Sequence, residues 1–197
     1  WSIKSILSIF LLSTLAGMVM IWFVNSKISG DLEISAINHA KEFVRYMAEK
    51  NKSDLTKGNQ MLLDIKTATD EKWIVQAFIV DKNGIILQPS SDEGIKSEDP
   101  HVIEALNLES SRTIISSPFR INTFIDGKRQ TLKTYTLVHP IRDLSKDGSK
   151  YEVIGVFKIL FLPDILIREL PSKGRIPYIF LLPILLAAIL IFLFIKQ

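Results

Sequence analysis

Trp73-Ile-Val-Gln-Ala-Phe-Ile-Val-Asp-Lys-Asn-Gly-Ile-Ile-Leu-Gln88 is the stretch whose reading decides the fold. Residues 73–80 are rich in β-branched and aromatic side chains. Asp81-Lys82-Asn83-Gly84 is turn chemistry, and 85–88 resumes the extended pattern. Asn-Gly between two apolar runs is a strong hairpin signal, because both central residues of a type I′ turn need φ > 0. Further along, Pro89 to Gly94 reads as a loop. Asp99-Pro100 opens a short helix with proline at the first helical position, carrying Val102, Ile103, Ala105 and Leu106. Arg112–Ser117, Phe119–Ile125, Lys128–Val138 and Tyr151–Phe161 read as extended, separated by the turn sequences Asp126-Gly127 and Lys146-Asp147-Gly148-Ser149. Pro163 ends the last strand, and a short helix over 164–170 follows.

Upstream of Trp73 the period is helical. Ile28, Leu32, Ile37, Ala40, Val44, Met47 and Ala48 recur at spacings of three to five, with charged residues mostly between them, which predicts a helix over 27–52. A second helix is expected over 53–69, capped by Ser53 or Asp54 and weakened at Gly58. The order predicts an α+β domain over 27–170, with about five antiparallel strands, a long N-terminal helix and the helices on one side.

Two apolar segments flank this domain. Ile6 to Val24 carries no charge, nor does Ile176 to Ile195, and each is long enough to cross the roughly 30 Å hydrocarbon core as a helix. Trp22 and Tyr178 stand near segment ends, where amphipathic rings favour the interface. Spans are therefore expected at 3–25 and 176–195, with the lipid bilayer as partner and 27–170 between them on the outside of the membrane. The chain opens on Trp1 and stops at Gln197, which reads as a piece of a longer protein.

The composition narrows the function. The 197 residues carry a formal net charge of +3 without a basic cluster, which argues against nucleic-acid binding. With no cysteine, disulfides, thiolate metal sites and thiol catalysis are excluded. His39, His101 and His139 form no metal-ligand motif, and no nucleophile elbow or phosphate-binding loop occurs, so neither catalysis nor a metal or other cofactor is expected. Asp92, Glu93, Glu98 and Asp99 read as a solvated loop rather than a cation site.

A binding site is the sharper expectation. Along 128–139, alternation puts Arg129, Lys133, Tyr135 and His139 on one face, and Arg120 and Lys158 can join from neighbouring strands. These groups would either grip a small anionic molecule or form the solvated outer face of an antiparallel sheet.

The order of elements, together with Val75 to Leu87 and the Asp81-x-x-Gly84 turn, resembles the extracytoplasmic PAS-like sensor domains known as Cache domains. Gly94-Ile-Lys and Asp99-Pro-His-Val102 resemble the family's segment leading into its short helix. The resemblance implies the sensing half of a two-span bacterial receptor. It would act as a homodimer through the amphipathic stretch 28–48, with a histidine kinase output beyond residue 197. The other reading is a membrane-tethered binding or assembly module of the cell envelope.

Overall fold

The computed structural model describes residues 3–125, 127–145 and 147–170, with the side chains of 3–11, 13, 62 and 125 left out. Glu33–Leu170 form one compact unit, and the chain up to Leu32 belongs to another. Helix α1 covers Ile3–Thr56 without a break. Its apolar stripe is Ala36, Ala40, Val44 and Met47, each completely buried. The stripe continues into Asn51, which is also buried but satisfied: its Nδ2 donates to Met47 O (2.9 Å) and Asp64 O (3.0 Å), and Asp64 N donates to its Oδ1 (2.6 Å).

The expected second helix from Ser53 is a correction. α1 absorbs its start and stops at Gly58, where Asn59 N reaches Asp54 O (2.9 Å) and Gly58 N reaches Leu55 O (3.1 Å) around a glycine at φ +71°. This paired bonding is a Schellman ending, and glycine occupies the left-handed position it requires. A 3-10 turn at Gln60–Leu62 and the short helix α2, Lys66–Thr69, follow.

Asp64 ties this segment to α1. Its carboxylate accepts from Lys50 Nζ, Thr67 Oγ1 (2.6 Å) and Thr67 N (3.0 Å), and these bonds, Lys50 first, hold its pKa near 2. The folded value lies below the ordinary 3.8, so its contribution to stability is present above that pH and is lost as pH falls towards 2. Acid unfolding followed between pH 5 and 2 should therefore be steeper for the native chain than for Asp64→Asn; coincident curves would show the bonds to be inert.

The sheet contains β1 (Ile74–Asp81), β2 (Ile86–Gln88), β3 (Ile114–Ile115), β4 (Phe119–Ile125), β5 (Lys128–Leu144) and β6 (Tyr151–Phe161). Each of the six falls on one of the stretches read as extended, in a sheet expected to have about five strands. All pairings are antiparallel, in the order β2-β1-β6-β5-β3, with β4 paired to the first half of β5. The β1–β2 turn is one residue longer than a type I′ hairpin. Gly84 N donates to Asp81 O (3.0 Å), Asp81 N to Ile85 O (2.8 Å), and Gly84 sits at φ +82°. That is a type I turn closed by a glycine bulge. The Asp81 carboxylate completes it through Asn83 N and Ile85 N, both at 2.8 Å.

Helix α3 (Pro100–Leu106) starts as expected, with the Asp99 carboxylate accepting from His101 N at 2.8 Å and proline in its first turn. Its position corrects the one-sided arrangement. Neighbouring residues of each central strand divide between two cores. Ile79, Leu137, Phe157, Ile159 and Phe161 join α1, α2 and α4 (Pro163–Glu169) on one face. Val80, Val138 and Val156 join Val102 and Ala105 of α3 on the other. Helices thus cover both faces, and residues 134–141 of β5 are all buried.

The expected first span lies within α1. There Leu12, Leu15, Met18, Val19, Met20, Trp22 and Phe23 are each more than half exposed. Among the described residues no helix is long and apolar enough to cross a membrane. The expected second span, 176–195, lies outside the described residues, as do the side chains that open the first.

Candidate functional site

The six residues singled out from the sequence fall into five places. Lys133 and Tyr135 come together beneath α1, two residues apart on β5 and therefore on one face. Both donate to the Glu33 carboxylate of α1, from Lys133 Nζ and Tyr135 Oη to the same Oε1. The Tyr135 ring stacks on Phe161 (centroids 5.7 Å, planes 24° apart), which meets Trp73 edge-on at 6.1 Å. These contacts fix the phenol, and Lys133 Nζ lies 5.4 Å from its ring centroid.

The electrostatics follow from this geometry. Hydrogen bonds from Lys133 and Tyr135 hold the Glu33 pKa below the ordinary carboxylate range. The bond to Glu33 raises Lys133, while burial, followed by the Glu33 bond, raises Tyr135. The position that the sequence offers to an anion is thus occupied by a carboxylate of the chain itself. Nearly two fifths of the Lys133 side chain and just over a quarter of that of Glu33 remain exposed, so solvent reaches the group.

The other four residues stand apart. Arg120 lies opposite Lys133 on β4 and is exposed. Arg129 lies near the β4–β5 turn opposite Phe124 and is also exposed. Lys158 is on the α3 face: it forms an ion pair with Asp99 at 2.5 Å and lies 5.3 Å from the Phe78 ring centroid. His139 shares the α1 face with Tyr135 but lies at the far end of β5, buried, with Nδ1 2.9 Å from Thr113 Oγ1. Burial, assisted by Arg45, lowers its pKa to about 4. It is therefore neutral at physiological pH. Among the described residues no cluster of three metal-ligating side chains occurs.

His139 borders a cavity of about 570 Å³ between α1 and β5. β3 pairs only with 137 and 138, so β5 has a free edge from residue 139 onward. Thr136 bonds to Ser116 on the β3 side through both its N–H (2.9 Å) and its carbonyl (3.0 Å). Strand alternation turns Pro140 to that same side, where its missing N–H breaks no ladder bond. Arg45, Tyr46, Lys52, Arg142 and Tyr151 line the space with His139. Of these the sequence reading had only His139, because the strand was expected to end at Val138, before Pro140. Arg142 follows a register shift in the β5–β6 ladder, which interrupts the alternation used to assign faces.

Comparison of the chain with protein-family models found none that matches, and a search of curated proteins found no match.

Proposed function

We propose that this chain is the sensing part of a two-span bacterial receptor, a PAS-like domain of the Cache type over 27–170. Membrane helices at 3–25 and 176–195 would flank it, and a histidine kinase would carry the output. The observation that carries this reading is helix α1. One unbroken helix bears both the exposed apolar surface from Leu12 to Phe23 and the buried stripe from Ala36 to Met47. A sensor that works through a membrane needs such continuity between the element crossing the bilayer and the core that meets the signal.

The Glu33 contact supports the same reading. An anion arriving at Lys133 and Tyr135 would have to displace a carboxylate of α1, so occupancy would change what holds that helix. The homodimer is proposed with a different surface from the one expected. The apolar stripe from Ala36 to Ala48 lies on the chain's own sheet, leaving Asn38, Glu42, Arg45 and Glu49 on the exposed side of α1.

The absence of native cysteine makes topology testable. Ser149→Cys, in the exposed turn before β6, should react with a membrane-impermeant maleimide in intact spheroplasts, whereas Ser2→Cys and Gln197→Cys should react only after lysis. The chain should stay with membranes washed at high pH. Release by that wash, or labelling of Ser149→Cys only after lysis, would remove the receptor reading.

A further inference from the structure

We propose that the β4–β5 hairpin is a membrane-contacting arm, which rests its tip on anionic phospholipid headgroups of the leaflet facing the domain. β5 pairs with β6 only as far as Tyr135, opposite Phe161, and residues 128–134 run on with β4 as their strand partner. That overhang gives the two-stranded arm a length of about 20 Å beyond the end of β6. Phe119, Ile121, Phe124 and Leu132 belong to neither core, and Phe124 keeps 73% of its surface exposed. A two-stranded ribbon alone is marginal in water, so an arm without a core gains from a surface to rest against.

The arm leaves the compact unit at the end by which the chain enters and exits. At its root Lys133 and Tyr135 bond to Glu33, the residue at which α1 enters the unit. Phe161, opposite Tyr135, leads into α4, after which the unit ends at Leu170. From this root α1 and β5 run in the same direction, since Thr56 and Lys52 lie beside Asp143 at the other end. Followed backwards from Lys133, β5 therefore leads away from the body of the domain towards the tip at Gly127. With one span before Glu33 and another after Leu170, that side faces the bilayer. To this extent the proposal rests on the receptor reading.

Charge selects the partner. Register sets Arg120 opposite Lys133, Arg129 opposite Phe124 and Lys128 opposite Ile125, which gathers cations that the sequence keeps apart. Lys133 is paired with Glu33. Arg120, Lys128 and Arg129 are exposed and have no carboxylate partner among the described residues. Across 117–134 four cations stand against one acid, Asp126. Exposed cations beside an exposed aromatic ring suit an anionic lipid surface, with the cations on phosphates and the ring at the headgroup boundary. Each such cation strengthens the contact about fivefold. The same charge weighs against pairing of the free β4 edge with that of a second copy, which would crowd the arginines of both chains.

The test uses the full chain in lipid nanodiscs doped with a lipid spin-labelled at its headgroup. Thr123→Cys, beside Phe124 in the arm, carries an environment-sensitive fluorophore. Its emission should be quenched at least about twofold in discs containing phosphatidylglycerol, and far less in discs of phosphatidylcholine alone. Salt at about 1 M should abolish that difference. Arg120→Gln, Lys128→Gln and Arg129→Gln combined should lower quenching in anionic discs to the uncharged level. All three side chains are exposed, so this variant keeps its fold. Ser149→Cys, near the Leu144–Tyr151 end of the β5–β6 ladder, is the control and should stay unquenched. Four results would each overturn the proposal: no quenching of Thr123→Cys, equal quenching in uncharged discs, undiminished quenching in the triple variant, or equal quenching of Ser149→Cys. An arm covered by a second copy would show as a signal indifferent to lipid charge. A chain that never enters the discs would remove the receptor reading as well, so incorporation tells the two failures apart.

Discussion

Gly155→Ala is expected to destabilise the domain by about 3 kcal/mol, at the upper end of overpacking costs. Gly155 lies in β6 opposite both Asp81 and Ile141, in the middle of the sheet. A methyl group there would stand 2.5 Å from Leu55 Cδ2 and 2.6 Å from the carbonyl oxygen of Val80. The leucine can rotate away. The carbonyl cannot, because it belongs to the neighbouring strand, and moving it strains the β1–β6 ladder. Unfolding by urea, followed through Trp73 with Trp1 and Trp22 replaced by phenylalanine, gives the measurement. Adding Leu55→Ala should recover only the part due to the side chain. A loss below about 1 kcal/mol, or full recovery in the double variant, would mean that the strand backbone is not the obstacle.

Asp99→Ala is expected to cost about as much, roughly 3 kcal/mol, for two reasons that can be separated. The carboxylate caps α3 and also neutralises Lys158, whose side chain is 15% exposed against 19% for Asp99 itself. Burial alone would raise the Asp99 pKa, yet the bonds from Lys158 and His101 N outweigh it and the net shift is downward. Stability from this group is therefore present above the ordinary carboxylate range and lost as pH falls through the lowered value. Asp99→Ser keeps a capping oxygen and should cost less than alanine, the residue being a Lys158 ammonium left without its partner. Adding Lys158→Met to Asp99→Ser should restore stability to within about 1 kcal/mol of native, because an apolar chain replaces a buried charge. If the double variant is no better than Asp99→Ser alone, the ion pair carries little and the cap explains the loss.

Local chemistry made much of this fold legible. Asp99-Pro100 states a helix start, Asp81 to Gly84 a turn, and the alternation of β5 correctly brings Lys133 beside Tyr135. Pro163 and the glycine of each later turn, Gly127 and Gly148 at φ +74° and +72°, mark element ends. What alternation cannot state is what covers each face. Lys133 and Tyr135 read as an open anion site because their partner, Glu33, lies 100 residues upstream on a helix whose docking the strand's own sequence does not encode. Lys158 fell into the wrong group for the same reason, since its face is defined by pairing with β1 and by α3 above it. Pro140 concealed the second half of β5, because proline argues against a strand until the strand's edge is seen to be free. Arg142 and Gly155 carry no local signature at all; a register shift places the first, and a crowded neighbour restricts the second.

The distance along the chain between α1 and its partners also has a kinetic consequence. The stripe from Ala36 to Met47 shares its core with Leu137, Phe157, Ile159 and Phe161, so its burial is complete only once the last strand is made. Closing loops of that length before any reward is gained makes folding slow, in the range of milliseconds to seconds rather than microseconds. During synthesis the newly made α1 would therefore pass a prolonged interval with its apolar side uncovered, and the domain would close late, as a single cooperative event around β6.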